Sequence, residues 1–332
     1  MTWLLAAAGL MLLALVVFDL VKTTLTLHGA GPVTLRLGKF GWAAARRLDP
    51  GRRHLLTYAG SLIAVLTVAG WLLGQWIAWT LFFSAGEAMV IDSLSGEPAG
   101  FWSRVYHAGF SIFTLGVGDY RPDGAPAQLA SNIAAGLGFL TISLSATYFI
   151  PTVSAAADKR QLALHISGIG RTPEEILRSS WNGRDFSTLA EHLVVLAPKI
   201  MEVGQQHLTY PVLHYFYSED EDAAVTVRLA ALDEALAIIE EGVAPDCRLP
   251  VAFVRPATNG IGSYLASLSR LGVGPAPEPP PLPSLEGLRR LGVPVVDETR
   301  FGRAMERHEL RRRISLSLVE DSGRSWSDVG SG

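Results

Sequence analysis

Charged residues are missing from three long stretches of this 332-residue chain. No Asp, Glu, Lys or Arg occurs in 2–18, 54–86 or 124–157. A helix needs roughly 20 predominantly apolar residues to cross a bilayer, and the second and third stretches exceed that length. The first is near the lower limit and is extended by Leu20 and Val21. Because 49% of all residues are hydrophobic as well, these gaps predict a membrane protein with three spanning helices.

The first apolar stretch has an alternative interpretation as a signal peptide. A signal peptide carries basic residues before its apolar core, but no Lys or Arg precedes Lys22. No clear small-x-small cleavage site follows the apolar run before Asp19. We therefore predict a retained helix, in which Asp19 and Lys22 pair as i,i+3 neighbours near its inner end.

Signals of enzymatic chemistry are scarce. The single cysteine, Cys247, excludes an intrachain disulfide. No credible nucleophile–base set occurs, so we expect neither an enzyme nor a bound cofactor. The run from Ser167 to Gly170 lacks the third glycine of a nucleotide-binding loop and is more typical of a turn that enters a helix. The net charge of −3 argues against a nucleic-acid partner.

The remaining charges are distributed asymmetrically between the two sides of the apolar segments. The loop 28–53 has one acid, Asp49, against six basic residues: Arg36, Lys39, Arg46, Arg47, Arg52 and Arg53. The region 84–123 is acidic instead, with Glu87, Asp92, Glu97, Asp119 and Asp123 against Arg104 and Arg121. Positive residues stay cytoplasmic. The pattern thus predicts an extracytoplasmic N-terminus and a cytoplasmic C-terminus in the plasma membrane.

A short glycine-containing stretch lies between the second and third apolar segments. Residues 114–118 have the form Thr-apolar-Gly-apolar-Gly. Glycine adopts positive φ at little cost, and alternation of left- and right-handed residues points successive carbonyls in one direction. Four such strands around an axis form stacked oxygen rings that replace the water shell of an ion. The alternative is a simple turn between two helices.

This stretch resembles the selectivity filter of the potassium channel pore-domain family, which usually reads Thr-Val-Gly-Tyr-Gly followed by Asp. The matching residues are Thr114, Gly116, Gly118 and Asp119. Leu115 takes the first apolar position, and Val117 is a departure because the family usually has Tyr or Phe there. The resemblance covers about residues 52 to 155. It implies a homotetramer that binds the permeant K+ at Thr114, Leu115, Gly116 and Val117, with Asp119 at the outer mouth.

The residues before this stretch suit a re-entrant pore helix. Residues 101–113 are too short and mixed to cross a membrane, and non-spanning backbone is tolerated there only within protein or beside water. We expect three aromatic residues to support the filter from behind: Trp102, Tyr106 and Phe110. On the second spanning helix, Trp71, Trp76 and Trp79 suit an aromatic belt at the outer interface.

The third apolar segment, 127–157, is the expected inner helix. Gly136 and Gly138 either let this helix bend, as the resemblance implies, or allow close helix packing. Three sparse polar side chains at near-helical spacing are candidates to line the cavity: Thr141, Ser145 and Tyr148. Pro151 is expected to break the helix ladder near the inner mouth.

The whole chain is expected to be an all-α membrane protein with three transmembrane helices, a re-entrant pore helix with its filter, and a mainly helical cytosolic C-terminal domain. The predicted segments are an extra helix at 1–27, a basic loop with an interfacial helix at 28–52, a pore domain at 53–157, a helical domain at 158–274, and a Pro-rich linker, Arg-rich helix and disordered tail at 275–332. Anionic lipid is expected near Arg46, Arg47, Arg52 and Arg53.

Two helix starts in the C-terminal region carry capping signals. Thr172 and Glu175 form one capping box, and Ser218 and Glu221 form a second that would open a helix to Glu241. The Pro-rich run 275–283 is expected to be a stiff linker. These signals concern local structure and do not reveal a gating stimulus.

Three functions remain open on the sequence. A tetrameric potassium channel is favoured, and a weakly selective cation channel is the alternative within that class because of Val117. From another class, the chain would be a membrane-anchored signalling or scaffold protein. Voltage sensing is not expected, because the first span has no arginine ladder.

Overall fold

The computed structural model describes residues 2–26, 29–48, 54–269 and 273–330. The chain divides into two compact units. The first unit comprises Met1–Trp42 and Ser61–Thr152, and the second comprises Ala43–Gly60 and Val153–Gly332. Most of the described residues are helical.

The N-terminal half of the chain contains five helices and two short strands. In chain order these are α1 Thr2–Leu25, α2 Pro32–Leu48, α3 His54–Phe83, β1 Val90–Asp92, α4 Phe101–Ile112, β2 Tyr120–Pro122 and α5 Gly124–Ile169. Three of them are long and apolar enough to cross a membrane, at Trp3–Leu25, Leu56–Phe83 and Gly124–Ile169. The prediction of three spanning helices is confirmed to that extent.

The inner helix is longer than the sequence predicts. α5 has 46 residues, which corresponds to about 70 Å at 1.5 Å per residue. The hydrocarbon core of a bilayer is only about 30 Å thick. Pro151 lies inside α5 and does not end it, because proline removes a single backbone donor while its φ remains compatible with a helix.

A small sheet corrects the all-α expectation. β1 and β2 pair antiparallel, with Ile91 opposite Arg121 and Asp92 opposite Tyr120. Ile91 also forms a bridge with Pro98. The polar segment between α3 and α4 therefore folds back against the strand that follows the glycine-containing stretch.

The tryptophans of α3 do not form an aromatic belt, which corrects that prediction. Trp71 and Trp79 are buried, at 2% and 3% exposure. The Trp76 indole N–H donates to the carbonyl of Val105 on α4 at 2.7 Å. Trp79 and Phe83 belong to a core cluster that joins α3, α4 and α5. A buried indole needs an acceptor for its N–H, and Trp76 finds one on a neighbouring backbone.

Asp19 is fully buried and does not pair with Lys22, contrary to the predicted i,i+3 contact. Its carboxylate accepts hydrogen bonds from the Trp71 indole at 2.9 Å, from the Thr34 hydroxyl at 2.6 Å and from the Val33 amide at 2.7 Å. Lys22 lies over the ring of Phe18. Asp19 thus caps the start of α2 from another helix, and α1, α2 and α3 meet at one carboxylate.

The second unit has one continuous hydrophobic core. Its further helices are α6 Pro173–Ser180, α7 Ser187–Thr209, α8 Val225–Ala237, α9 Val251–Ser269, α10 Glu286–Arg290, α11 Glu298–Met305 and α12 Glu309–Asp321. The core contains Leu162 from the end of α5, Leu193 from α7, Leu236 from α8 and Leu268 from α9. These side chains are at most 1% exposed.

The two capping predictions have different outcomes. The Thr172 hydroxyl accepts the Glu175 amide at 3.2 Å and caps α6, as predicted. The second capping box is wrong, because the Asp220 side chain accepts the Asp222 amide and opens a short 3-10 turn, Glu221–Ala223. α8 starts only after that turn. Aspartate is an N-cap at least as good as serine.

The C-terminal region is folded, which corrects the prediction of a disordered tail. α12 continues to Asp321, and Val329 is 1% exposed in the same core. The Pro-rich run is held by α12, since Arg312 Nη2 donates to the carbonyl of Pro281 at 2.6 Å. Arg312 also pairs with Glu234 at 2.6 Å, and both are buried. Buried charges need such partners. Residues on both sides of the boundary predicted at 274–275 belong to one hydrophobic core, so the predicted boundary is wrong.

Candidate ion-conduction site

The glycine-containing stretch begins directly at the C-terminus of α4. α4 has 12 residues, about 18 Å of helix, which is too short to cross a bilayer. The amides of Phe113, Thr114 and Leu115 donate to the carbonyls of Gly109, Ser111 and Phe110 at 2.8–3.1 Å. These bonds satisfy carbonyls that a helix end leaves unpaired, and they fix the inner end of the stretch to α4.

The backbone of this stretch alternates in handedness. Thr114, Gly116 and Gly118 have φ values of +56°, +58° and +87°. The two glycines adopt the positive φ that the sequence predicts. Thr114 is the only non-glycine residue with positive φ in the described part of the chain, and such a residue costs on the order of 1–3 kcal/mol of strain. Strain of this kind is concentrated at functional sites.

The stretch is open in the single chain. All residues of 113–119 are exposed, including Leu115 at 67% and Val117 at 53%. Asp119 is exposed as well, and its carboxylate accepts the Tyr120 amide at 3.1 Å. The apolar side chains of Leu115 and Val117 are therefore not covered within one copy of the chain.

The three predicted supporting aromatics have different positions. Phe110 is buried, and its ring meets that of Tyr106 edge-on at 5.3 Å. Tyr106 also contacts Tyr120 at 6.2 Å, directly after the stretch. Trp102 is 78% exposed and stacks only on its neighbour Phe101 at 5.4 Å. Among the described residues, the ring contact of Trp102 is with Phe101 and not with the stretch, so the predicted support by Trp102 is not seen within the chain.

Sequence reasoning missed His107 as a supporting residue. His107 is 1% exposed, and its Nε2 lies 3.0 Å from the Ser131 hydroxyl on α5. Its ring meets Phe83 of α3 at 4.8 Å and Phe110 at 4.9 Å, both edge-on. His107 thus joins three helices behind the stretch. The available signal was a polar residue on the apolar face of a short helix.

The outer end of the stretch is held by the segment before α4. The Ser93 hydroxyl donates to the Gly118 carbonyl at 2.7 Å, and the Ser93 amide donates to the Asp119 carbonyl at 2.9 Å. Ser93 and Gly118 are 25 residues apart, so no local sequence pattern predicts these contacts.

The two glycines of the inner helix differ in their surroundings. A Cβ atom on Gly138 would overlap the carbonyl oxygen of Ile112 at the end of α4, whereas a Cβ on Gly136 meets open space. Gly138 therefore allows the close helix packing that the sequence left open. α5 shows no break at either glycine.

The predicted cavity residues face the interior of the first unit, which corrects that assignment. Thr141, Ser145 and Tyr148 are buried, at 0%, 5% and 6% exposure. The Gln75 amide of α3 donates to the Thr141 hydroxyl at 2.5 Å. Phe139 and Ile142 lie on the exposed side of α5 instead, at 64% and 47%. Near-helical spacing shows that residues share a face but does not say which face.

The predicted lipid-binding arginines are only partly described. Arg46 pairs with Asp321 at 3.3 Å, and Asp321 also accepts from His214 at 2.7 Å. Burial raises the pKa of Asp321, but the hydrogen bond from His214 and the charges of His214 and Arg46 together outweigh it, so the pKa of Asp321 is lowered. Arg47 is exposed. Arg52 and Arg53 lie outside the described residues, so the lipid contact stays a prediction.

One relative matches the chain over nearly its whole length. Over 320 residues the chain is 32% identical to a protein of Bacillus subtilis (strain 168) named uncharacterized membrane protein YdjJ. The alignment covers 96% of this chain and 94% of that protein. No protein-family model and no solved structure matches the chain.

Proposed function

We propose that this chain, which belongs to the same family as the Bacillus subtilis membrane protein YdjJ, forms a homotetrameric channel that conducts K+ passively across the plasma membrane. The observation that carries the proposal is the alternation of positive φ at Thr114, Gly116 and Gly118 at the C-terminus of a re-entrant helix. This backbone turns successive carbonyls to one side, as an ion-binding strand requires.

Four chains are needed to complete the oxygen rings. One chain supplies a single strand of carbonyls, from Thr114, Leu115, Gly116 and Val117, and four strands around an axis surround an ion. The exposure of Leu115 and Val117 in the single chain supports this assembly, since neighbouring copies would cover them. No cofactor or catalytic group is assigned beyond the permeant ion.

Electrostatics favour a cation over an anion. The C-terminus of α4 carries a partial negative charge from the helix dipole. Asp119 follows the stretch and is exposed, and the region 84–123 has five acids against two arginines. Acidic groups at a mouth raise the local concentration of cations.

Orientation follows from the basic residues. The loop 28–53 would lie inside, the outer mouth would face the exterior, and the second unit would be cytoplasmic. α1 then begins on the extracytoplasmic side and lies at the lipid-facing periphery of the tetramer. Exposed apolar residues along α1, such as Trp3 and Met11, support contact with lipid.

The degree of potassium selectivity depends on Val117. Valine has no hydroxyl and is much shorter than the tyrosine that stands there in the resembled family. Fixed ring geometry and the number of carbonyl ligands are competing explanations of selectivity. We propose potassium preference that is weaker than usual, and a weakly selective cation channel is the alternative.

A second candidate function, a membrane-anchored signalling or scaffold protein, is favoured by one observation. The second unit closes its own core and has a cavity of about 270 Å³ lined by residues that include Glu174, Glu234 and Trp326. Such a unit can bind a partner without any ion flux. The strained stretch after α4 has no role in that function, so conduction remains the better-supported proposal.

Flux measurements distinguish the two functions. Purified wild-type protein in liposomes should pass K+ down an imposed gradient, and Gly118→Ala should abolish the flux because a Cβ opposes φ = +87°. Native mass measurement should give a tetramer for both proteins. Wild-type-like flux from Gly118→Ala would remove the filter assignment, and a tetramer without any flux would favour the scaffold.

A further inference from the structure

We infer that Ser93 is the positioning residue that fixes the outer end of the filter and thereby sets how well the channel distinguishes K+ from Na+. The inference rests on the proposed function and assigns part of its specificity to a residue outside the filter and the pore helix.

Ser93 makes two hydrogen bonds to consecutive carbonyls. Its hydroxyl donates to the Gly118 carbonyl at 2.7 Å, and its amide donates to the Asp119 carbonyl at 2.9 Å. One residue therefore fixes two adjacent peptide groups where the stretch ends. Both distances lie in the normal range for hydrogen bonds.

The segment around Ser93 is itself rigidly built. The pairing of Asp92 with Tyr120 in the small sheet brings Ser93 beside Asp119. The Asp92 carboxylate accepts the amides of Leu94 and Ser95, both at 2.9 Å. These two bonds, from Ser95 first and Leu94 second, lower the pKa of Asp92, because they favour the charged carboxylate.

The backbone closes the same turn. The Asp92 amide donates to the Glu97 carbonyl at 3.0 Å, and the Gly96 amide donates to the Asp92 carbonyl at 3.0 Å. Gly96 has φ of +73°, which only glycine adopts without strain. The Ser93 hydroxyl is therefore presented from a fixed support and not from a free loop.

The hydrogen bonds described for the stretch lie at its two ends. The amides of Phe113, Thr114 and Leu115 tie the inner end to α4, and Ser93 ties the outer end to the sheet. In a filter with tyrosine at position 117, a phenol can supply a further polar contact. The Val117 side chain cannot make such a polar contact, so the outer half of the stretch depends more strongly on Ser93.

The Val117 carbonyl and the Gly118 amide lie in one rigid peptide plane. The Gly118 carbonyl lies in the next plane, which is joined to the first through the φ and ψ of Gly118, and these torsions are soft because glycine has no Cβ. By holding the carbonyls of Gly118 and Asp119, Ser93 fixes the outer attachment of the Val117–Gly118 plane and so limits how far the Val117 carbonyl can turn. The Gly118 carbonyl is thereby engaged by the protein, and the K+ ligands of the proposed filter are the carbonyls of residues 114 to 117.

Removal of the hydroxyl should loosen the outer ring. Ser93→Ala removes the bond to Gly118 but keeps the backbone bond to Asp119. Ser93→Thr keeps the hydroxyl. Ser95→Ala is the matched control, because the hydrogen bonds described for the Ser95 hydroxyl, from the Glu97 amide at 3.3 Å and to the Asp92 carboxylate, stay within the same turn and do not reach the stretch.

The experiment measures reversal potentials of the purified tetramers in planar bilayers with K+ on one side and Na+ on the other. Ser93→Ala should lower the K+/Na+ permeability ratio by about threefold or more, which is what a loss of about 0.7 kcal/mol of discrimination gives. Ser93→Thr and Ser95→Ala should keep the wild-type ratio. Ser93→Cys, which has a weaker donor of similar size, should give an intermediate permeability ratio. If Ser93→Ala does not assemble, the ratio of Ser93→Cys tests the role of Ser93 in its place.

The two proposals fail in different ways. A wild-type ratio from Ser93→Ala, or from Ser93→Cys where it is the deciding variant, overturns the role of Ser93 and leaves the channel function in place. A fall of the same size in Ser95→Ala would also overturn it, because the effect would then belong to the turn as a whole. Absence of current in the wild-type protein would overturn the channel function and the Ser93 assignment together.

Discussion

The two units of this chain differ in how completely one copy encloses its apolar surface. In the second unit, Leu196, Leu232 and Leu268 have no measurable exposure. In the first unit, Ile77 is 54% exposed and Phe139 is 64% exposed. The second unit therefore has a core of its own, whereas the first leaves large apolar side chains exposed on helices that are long and apolar enough to cross a membrane. Folding and conduction should accordingly respond to different changes.

Buried polar groups reinforce this contrast. The first unit holds its helices together at single polar points inside apolar surroundings, such as Asp19 and His107. The second unit uses a paired cluster in which Glu234 meets Arg312 at 2.6 Å and Asp233 meets Arg311 at 2.9 Å. Burial raises the pKa of Asp233 to about 7, although Arg311 lowers it. Loss of one group in the first unit leaves several partners unsatisfied at once.

Asp19→Ala should have the largest effect, and it should be confined to the first unit. The change removes the acceptor for Trp71, Thr34 and the Val33 amide. A buried donor left without a partner costs about 1–3 kcal/mol, so a loss of about 3 kcal/mol or more is expected. Thermal unfolding in detergent should show an earlier transition. Lys22→Gln is the control and should be neutral, since Lys22 does not pair with Asp19; equal effects of both changes would contradict the described network.

Gly138→Ala should disrupt the first unit more than Gly136→Ala does. A Cβ at position 138 overlaps the Ile112 carbonyl, and one at 136 meets open space within the chain. Overpacking of this kind costs about 1–3 kcal/mol. Tetramer yield by native mass measurement and K+ flux should fall for Gly138→Ala only. Equal losses for both variants would mean that Gly136 is covered in the assembly, as a contact between copies.

His207 provides a pH test that belongs to the second unit alone. Burial lowers the pKa of His207 to about 3, with a further decrease from the charge of Lys159. The unfolded chain takes up a proton near pH 6.5, so the neutral folded state loses stability as the pH falls from 6.5 towards 3. The expected slope is about 1.4 kcal/mol per pH unit.

His207→Gln removes this slope, because glutamine does not titrate yet can still donate to the Val203 carbonyl, as His207 does at 3.0 Å. The difference in unfolding free energy between the two proteins, measured from pH 7.5 to 5, should change with pH. Filter properties such as permeability ratios should remain unaffected. A constant difference across this range would show that His207 takes up its proton in the folded protein over the same pH range as in the unfolded chain.

Val117→Tyr should have the smallest effect and the most specific one. A phenol at this position can reach a polar partner behind the strand and hold the outer ring more firmly. The K+/Na+ permeability ratio should rise by a few-fold, with tetramer yield unchanged. Reduced assembly instead would indicate that Phe110 and His107 already fill the space behind position 117.

The sequence contained the outline of the first unit but not its internal contacts. The three stretches without charged residues predict three spanning helices, and the spacing of the glycines predicts positive φ at Gly116 and Gly118. Membrane helices are apolar on every side, so periodicity did not show that Thr141 faces α3. The contacts of Asp19 with Trp71 and of Ser93 with Gly118 join residues 52 and 25 positions apart, and no local pattern predicts such pairs. In the second unit, the buried Arg312 holds the Pro-rich run at Pro281, and Arg228 holds the tail at the Asp328 carbonyl, although the composition of both segments is typical of disorder.

The central claim is that four copies of the strand at 114–118 form a cation filter that prefers K+. The most direct test is the reversal potential of the purified wild-type protein in a planar bilayer with K+ on one side and Na+ on the other. We expect a reversal potential that is displaced from zero towards the equilibrium potential of K+. The displacement should be smaller than a strictly selective filter would give. A current that reverses at zero would contradict the rings described here, and the absence of any current would contradict the channel itself.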